Sequence, residues 1–408
     1  MAKLFSRRTA AVVAVAAASM LVLSACSNSD SGSGDTVKVS LITKDQSNPF
    51  FVAMIKGATE KAEALGVELT VTSGVDESDY AGQITAIENA ISAKHAGILI
   101  VPVSTEVNAA ITKAREAGLY IIALDTAPDP ADIVDITFAT DNREAGLLIG
   151  QWTAAKLAGK KATIALLDIF DDRIVSVDYM RDNGFLAGMG IDVKDPNKMG
   201  DEDKKGKYSG GDYEIVGNVA TGANEDGGRT GLEQLLAKNK NINVVYTINE
   251  PTAIGACAAA AAAGIKLDVM VSVDGGGAGI NAVKSGCINA TSQQYPLLMA
   301  DLGVQAIHDL VKNGVKPTPS EGLDFFNTGV NLITDQPVDG VEVVGVAQRL
   351  ARAQRFGAQH VNSFADEHMV KTQERQTRGK CRLRLAAQAC ALRIPQRARD
   401  AGINARAR

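Results

Sequence analysis

The sequence contains few aromatic residues and few histidines. Phe, Trp and Tyr make up 4% of the 408 residues, and the four histidines are His95, His308, His360 and His368. None of them stands at the end of a predicted strand, so a Ser-His-Asp set or a histidine metal site would lack its base. The G-x-x-x-x-G-K-[ST] pattern of ATP-binding loops is also missing. We therefore predict a protein that is not an enzyme and that carries no metal and no cofactor.

Apolar stretches long enough to span a membrane are also lacking. The apolar run near the N-terminus, residues 10–23, is too short for a stable span and follows three basic residues. It ends in Leu23-Ser24-Ala25-Cys26, which resembles a bacterial lipoprotein processing site. We expect residues 1–26 to be a lipoprotein signal peptide, Cys26 to carry the lipid and residues 27–36 to form a flexible tether. An ordinary secretory signal that happens to contain a cysteine is the alternative.

Cysteines are few, and their spacing argues against zinc. Besides Cys26, the chain has Cys257, Cys287, Cys381 and Cys390, without the CxxC and histidine spacings of zinc sites. Cys257 and Cys287 either form a disulfide in an oxidising compartment or are two buried small residues. Both alternatives are open at this stage.

The net charge of −5 conceals a strong asymmetry along the chain. Residues 342–408 carry a net charge of +9, and the preceding residues carry −14. An acidic body disfavours nucleic acid as a partner.

Short apolar runs alternate regularly with amphipathic segments through the body of the chain. Strands are predicted at 37–42, 67–72, 97–102, 119–124, 162–167, 213–219, 242–248, 269–274, 288–293 and 329–335. Helices are predicted at 50–65, 80–94, 106–117, 143–157, 177–189, 228–238, 252–263, 278–284 and 298–312. This alternation indicates an α/β protein with doubly wound parallel sheets, and so many strands are better divided between two domains. The polar, glycine-rich segment 192–212 is predicted to be a surface loop.

Polar and aromatic side chains follow the predicted strands, where ligands of parallel sheets bind. They include Asn48, Phe50, Phe51, Asp125, Tyr179, Arg181, Asn249, Asp274 and Gln294. Carboxylates, amides and guanidinium groups make paired hydrogen bonds to neighbouring hydroxyls, and phenyl rings stack on the C–H face of a sugar. The set therefore suits a neutral polyol, although a single strand-end Asp or Asn is more often a helix N-cap.

Seven short motifs occur in a characteristic order between residues 37 and 341. They are Asn48-Pro49-Phe50-Phe51, Ala123-Leu124-Asp125, Arg181-Asp182-Asn183-Gly184-Phe185, Asn224-Glu225-Asp226-Gly227-Gly228-Arg229-Thr230, Thr247-Ile248-Asn249-Glu250-Pro251, Ser272-Val273-Asp274-Gly275-Gly276 and Ala290-Thr291-Ser292-Gln293-Gln294-Tyr295-Pro296. In this order they resemble the periplasmic sugar-binding proteins of the ribose-binding type, and most of all the fructose-type lipoproteins of ABC importers.

The resemblance implies two lobes joined by a three-segment hinge, with a monosaccharide in the cleft between them. The lobes would be 37–140 with 295–325, and 141–294 with 326–341. The implied ligand contacts are Asn48, Phe50, Phe51, Asp125, Asn249, Asp274 and Gln294. Tyr179 stands where ribose binders have an arginine, which speaks against ribose. Arg181 matches a second family arginine with either a contacting or a structural role, and Asn224 either contacts the ligand or caps a helix.

The same resemblance implies that the protein delivers sugar to an ABC permease. It would act as a monomer, anchored on the outer side of the cell membrane, without chemistry on the sugar. A sugar sensor for a chemoreceptor or a histidine kinase is the alternative.

The resemblance ends at Val341, and the segment that follows differs in composition. Residues 342–408 contain 12 arginines, against seven in the preceding 341 residues. We interpret this tail as an out-of-frame or read-through translation that is disordered; a genuine basic appendage is the alternative.

Overall fold

The computed structural model describes residues 36–350, in which strands and helices alternate. The strands are β1 (Lys38–Thr43), β2 (Glu68–Ser73), β3 (Gly97–Ile100), β4 (Tyr120–Leu124), β5 (Ile136–Ala139), β6 (Ala162–Asp168), β7 (Lys205–Lys207), β8 (Asp212–Ala220), β9 (Val244–Thr247), β10 (Val269–Asp274), β11 (Ala290–Gln293), β12 (Phe326–Asn327) and β13 (Asn331–Ile333). The helices are α1 (Pro49–Leu65), α2 (Tyr80–Ser92), α3 (Asn108–Glu116), α4 (Asn142–Leu157), α5 (Ser176–Met189), α6 (Glu225–Lys238), α7 (Glu250–Ala262), α8 (Gly277–Ser285) and α9 (Pro296–Asn313). Cys26, the tether up to residue 35 and the tail from residue 351 lie outside the described residues.

The strands form two sheets, which confirms the predicted α/β fold with two lobes. The first sheet has the order β12-β5-β4-β3-β1-β2 and is parallel throughout. The second has the order β13-β11-β10-β9-β6-β8-β7, with antiparallel pairing at both edges. In each sheet the strand order reverses beside the first strand of the lobe, and ligands bind at such switch points.

Each sheet is covered by helices on both faces. In the first lobe α1 and α9 pack on one face, and α2 and α3 on the other. In the second lobe α4 and α5 cover one face, and α6, α7 and α8 the other. This double cover explains why the strands are apolar on both faces and could be recognised in the sequence. Within residues 36–350, no helix combines the length and the apolar character needed to cross a membrane.

Within residues 36–350, the chain passes between the two sheets three times. The passages lie between β5 and α4, between β11 and α9, and between β12 and β13. The last passage differs from the prediction, because Phe326 and Asn327 pair with Phe138 and Ala139 of the first sheet. The predicted boundary at 326 is therefore wrong by two residues. The pairing segment is too short for an alternating pattern, which is why the sequence did not reveal it.

Two further strands were not predicted from the sequence. β5 follows a loop rich in Asp and Pro, and β7 lies in the predicted loop 192–212. The exposed Lys-Gly-Lys of β7 carries no apolar signal and is held by antiparallel pairing with β8.

Helices α4 and α5 approach each other unusually closely through glycines. A Cβ added to Gly146 would lie 2.1 Å from the carbonyl oxygen of Arg181, and one added to Gly184 would lie 2.3 Å from that of Arg143. Only glycine permits this backbone contact. The close packing fixes α5, which carries Arg181 toward the other lobe.

Cys257 and Cys287 form a disulfide in the second lobe, with their Cα atoms 5.8 Å apart. This decides between the two alternatives that the sequence left open. The bond ties α7 to the segment between α8 and β11, and Cys257 lies 3.3 Å from the sulfur of Met270 near the start of β10.

The body continues beyond the predicted boundary at Val341. Val344 forms a β-bridge with Ile333 of β13. Val346 is 1% exposed and packs in the core between the second sheet and helices α6, α7 and α8. Arg349 donates a hydrogen bond of 2.9 Å to the carbonyl oxygen of Gly275. The prediction that the disordered tail begins at residue 342 is therefore wrong for residues 342–350. The basic composition concealed this, because one buried valine, Val346, and the partly buried Val344 suffice to dock so short a segment.

We predict that truncation after Val341 destabilises the protein, whereas truncation after Leu350 does not. Loss of Val346 removes the burial of one apolar side chain, about 2 kcal/mol, together with the Arg349 contact. The melting temperature should fall by several degrees in the shorter form only, as measured by differential scanning calorimetry. Equal melting temperatures for the two truncated forms would contradict the docking of residues 342–350.

Candidate ligand-binding cleft

A pocket lies between the lobes, at the carboxyl ends of the strands, and encloses about 310 Å³ when its open mouth is counted. Eight of the nine predicted ligand residues line it. The lining residues are Lys44, Asn48, Phe50, Phe51, Glu77, Asp125, Ile169, Val177, Arg181, Ala223, Ile248, Asn249, Asp274 and Gln294.

The start of α1 forms one wall of the pocket. Asn48 caps the helix, since its side-chain oxygen accepts a hydrogen bond of 3.0 Å from the Phe50 amide, and Pro49 occupies the first turn. The rings of Phe50 and Phe51 lie edge to face, with centroids 5.4 Å apart. The cap thus holds two adjacent aromatic rings at the pocket surface.

Arg181 connects the second lobe to the first. Its Nε donates to Asn142 Oδ1 at 2.7 Å, and one terminal nitrogen donates to the Ile248 carbonyl at 3.1 Å. The other terminal nitrogen lies 3.4 Å from Asp125 Oδ1, at the end of β4 in the first lobe. Arg181 therefore has a structural role between the lobes and also lines the pocket.

Asp274, at the end of β10, is held in an unusual conformation. Its backbone φ is 133°, a region that side chains rarely adopt, and such strain clusters at binding sites. Its Oδ1 accepts a hydrogen bond of 2.9 Å from Gln294 Nε2. Burial raises the pKa of Asp274 to about 7, against the opposing effect of the Arg181 guanidinium.

Gln294 lies in the passage from β11 to α9 and leaves one polar atom available. Its Oε1 is buried, and within residues 36–350 no hydrogen-bond partner meets it. A buried acceptor without a partner costs about 1–3 kcal/mol. A ligand hydroxyl or a water molecule would satisfy this atom.

Glu250 holds the loop that follows Asp274 and was not predicted as a site residue. Its carboxylate accepts hydrogen bonds from the amides of Gly275 and Gly276 at 2.8 and 2.9 Å and from Thr291 Oγ1 at 2.9 Å. Burial and then the Asp274 carboxylate raise the pKa of Glu250 to about 8. The signal in the sequence was its place in the Asn-Glu-Pro motif, directly after β9.

Two asparagines act as helix caps. Asn249 lines the pocket, but its Oδ1 accepts from the amide and the hydroxyl of Thr252, and its Nδ2 donates to the Ala223 carbonyl at 2.9 Å. Asn224 caps α6 through the Gly227 amide at 2.8 Å and is not among the lining residues. The capping alternative thus applies to Asn224.

Tyr179 does not line the pocket, so its prediction as a ligand residue is not matched by the structure. Val177 and Arg181, four positions apart on α5, share the face that meets the cleft. Tyr179 is two positions from each of them, so it is rotated by about 200° around the helix axis and lies on the opposite face of α5. Burial, and then the nearby Asp129 carboxylate, raise the pKa of Tyr179. The argument against ribose that depended on this residue therefore loses its support.

The sequence analysis missed an ion pair in the pocket wall. Lys44 Nζ lies 2.8 Å from Glu77 Oε2, and the two side chains are 2% and 11% exposed. Lys44 follows β1 directly, and Glu77 follows β2 by four positions. Both would have been found if the residues that follow β1 and β2 had been included among the strand-end candidates.

The lobes touch each other at the rim of the pocket. Ser176 Oγ, at the start of α5, donates a hydrogen bond of 2.7 Å to the Ala127 carbonyl of the first lobe. Together with the approach of Arg181 to Asp125, this contact indicates a cleft in a closed arrangement. Among residues 36–350, no group of three or more His, Cys, Asp or Glu side chains is arranged to hold a metal ion.

The chain is similar to several known sugar-binding and solute-binding proteins. The chain is 28% identical over 296 residues to the ribose import binding protein of Haemophilus influenzae, covering 72% of this chain and 91% of that one. It is 25% identical over 283 residues to the D-allose-binding periplasmic protein of Escherichia coli, covering 67% and 84%. A solute-binding protein from Agrobacterium vitis with bound D-fucose has a TM-score of 0.61 and 25% identity, covering 74% and 97%.

The family described as periplasmic binding protein domain matches residues 39–315. This segment includes β1 to β11 and all nine helices of the described residues, and thus the strand ends that carry the pocket. The chain belongs to the periplasmic binding protein domain family.

Proposed function

We propose that the protein is the extracytoplasmic substrate-binding lipoprotein of an ABC sugar importer. It binds a monosaccharide, fructose or a related sugar, between its lobes and delivers it to the membrane permease as a monomer. The observation that carries this proposal is the composition of the pocket, where two phenyl rings stand with carboxylate, amide and guanidinium groups. Rings of this kind stack on sugars, and such polar groups pair with neighbouring hydroxyls.

The charges of the pocket favour an uncharged ligand. The two cations in its lining, Lys44 and Arg181, each lie against a carboxylate, Glu77 and Asp125. Asp274 adds a further acidic group. A phosphate or carboxylate on the ligand would therefore be buried beside acidic groups whose neighbouring cations are already engaged, at a high cost in desolvation.

The relatives support transport rather than catalysis. They are named for ribose import and for allose binding. The choice of fructose rests on the resemblance of the sequence motifs to fructose-type members of the family.

Delivery depends on closure of the cleft. Asp125 and Asp274 belong to different lobes, so a ligand that contacts both binds the closed arrangement more tightly than the open one. That difference in affinity drives closure, and the closed form is the one that the permease would recognise.

We predict that Asp274→Ala abolishes sugar binding while the protein remains folded. Loss of a buried, charge-assisted hydrogen bond should cost about 2–4 kcal/mol of binding free energy. Isothermal titration calorimetry against fructose, ribose, xylose, glucose and myo-inositol measures this for the wild type and the variant. The exposed Asp324→Ala is the matched control, and Asp274→Asn serves if the alanine variant does not fold.

The outcomes separate clearly. Tight binding of one of the five sugars by the wild type and by Asp324→Ala, with loss in the Asp274 variants, is expected. Unchanged affinity in both Asp274 variants would contradict the site, and a wild type that binds none of the sugars would contradict the function.

The lipid anchor at Cys26 is part of the same proposal. The apolar run that precedes it and the small residues at positions 24 and 25 have the arrangement of a lipoprotein processing site. A diacylglycerol on the cysteine supplies the two chains that stable anchoring needs.

We predict that Cys26→Ser releases the protein from the membrane fraction of the producing cell. Immunoblotting after ultracentrifugation compares this variant with Ser29→Ala, a control three residues away in the tether. A Cys26→Ser protein that still sediments with membranes would refute the anchor.

A further inference from the structure

Lys44 and Glu77 form a buried ion pair. Each residue follows a strand of the first sheet, and both line the pocket. An ammonium group and a carboxylate removed from water cost several kcal/mol each, and their mutual attraction offsets this only with good hydrogen-bond geometry.

The pair is close, but its hydrogen-bonding capacity is not fully used. Nζ of Lys44 lies 2.8 Å from Oε2 of Glu77, yet this buried oxygen has no properly directed hydrogen bond among residues 36–350. The ammonium group has three donors, so hydrogen-bonding capacity remains on both sides of the ion pair. Burial raises the pKa of Glu77, and the neighbouring Lys44 opposes this effect.

A ligand in the pocket would complete the pair. Two adjacent hydroxyls of a sugar ring present one acceptor and one donor side by side, which complements a neighbouring ammonium donor and carboxylate acceptor. The other polar lining groups of the first lobe are already partly engaged, since Asn48 caps α1 and Asp125 accepts from Thr126 and Arg181.

We propose that Lys44 and Glu77 determine the specificity of the cleft by binding a vicinal diol of the sugar. Lys44 donates a hydrogen bond to one hydroxyl, and Glu77 accepts one from its neighbour. This inference rests on the proposed sugar-binding function and assigns two contacts that the sequence motifs do not include.

Monodeoxy sugars test the assignment. The probes are the sugar that binds most tightly in the five-sugar panel and each of its monodeoxy derivatives, titrated calorimetrically against the wild type. The wild type should reject the two derivatives that lack a hydroxyl of the diol by about 30-fold to 150-fold, since each leaves a hydrogen-bonding position of a buried charged group unsatisfied.

The variants Lys44→Met and Glu77→Gln should each remove the discrimination at one of these two positions. The preference for hydroxyls at the other ring positions should remain within about threefold. Lys56→Met is the matched control, because Lys56 is exposed on α1 and pairs with Glu60 at the surface. If Lys44→Met does not fold, Glu77→Gln gives the readout at its own position, and Lys44→Arg, which keeps a charged donor, should retain the discrimination at the other position.

A purely structural role gives a different pattern. Variants that weaken all derivatives equally, or that leave the position-dependent discrimination unchanged, would overturn the inference while sugar binding itself stands. A wild type without affinity for any sugar of the panel would instead overturn the proposed function, on which the inference depends.

Discussion

The hydrogen bonds of Arg181 are the interaction on which the site depends most. This one buried side chain reaches Asn142 at the first hinge passage, Ile248 at the end of β9 and Asp125 in the other lobe. Its position depends in turn on the close contact of α4 and α5 through glycines. A guanidinium group suits this place because its planar fork of five donors can serve three acceptors at once. The cleft is therefore held by a residue that also borders the ligand space.

A second support acts on Asp274 from within the second lobe. The carboxylate of Glu250 holds the amides of Gly275 and Gly276, and Arg349 binds the carbonyl of Gly275 from the C-terminal side. The two residues that follow the strained backbone of Asp274 are thus held by side chains from two different segments. Strain of this kind persists only where the surroundings determine the conformation.

Much of this could be predicted from the sequence, because the physics is local. Apolar strands that alternate with amphipathic helices imply parallel sheets, and parallel sheets place their strand ends at one edge. Asn48, Asp125, Asp274 and Gln294 were found in this way and meet in one pocket.

The rest depends on geometry that a sequence does not display. The prediction that Tyr179 lines the pocket did not match the structure, because Tyr179 lies on a different face of α5 from Arg181. Glu250 supports the site through backbone amides, whose position is not encoded by residue type. The docking of Val346 is a tertiary contact in a segment whose composition suggests disorder.

Closure of the two lobes around a sugar is the central claim, and small-angle X-ray scattering measures it most directly. Saturating the wild-type protein with the sugar that binds most tightly should reduce the radius of gyration, because the ligand contacts both lobes and favours the closed state. The same addition should leave the Asp274→Ala variant unchanged. A wild type that binds sugar tightly in calorimetry but scatters identically with and without it would contradict the account.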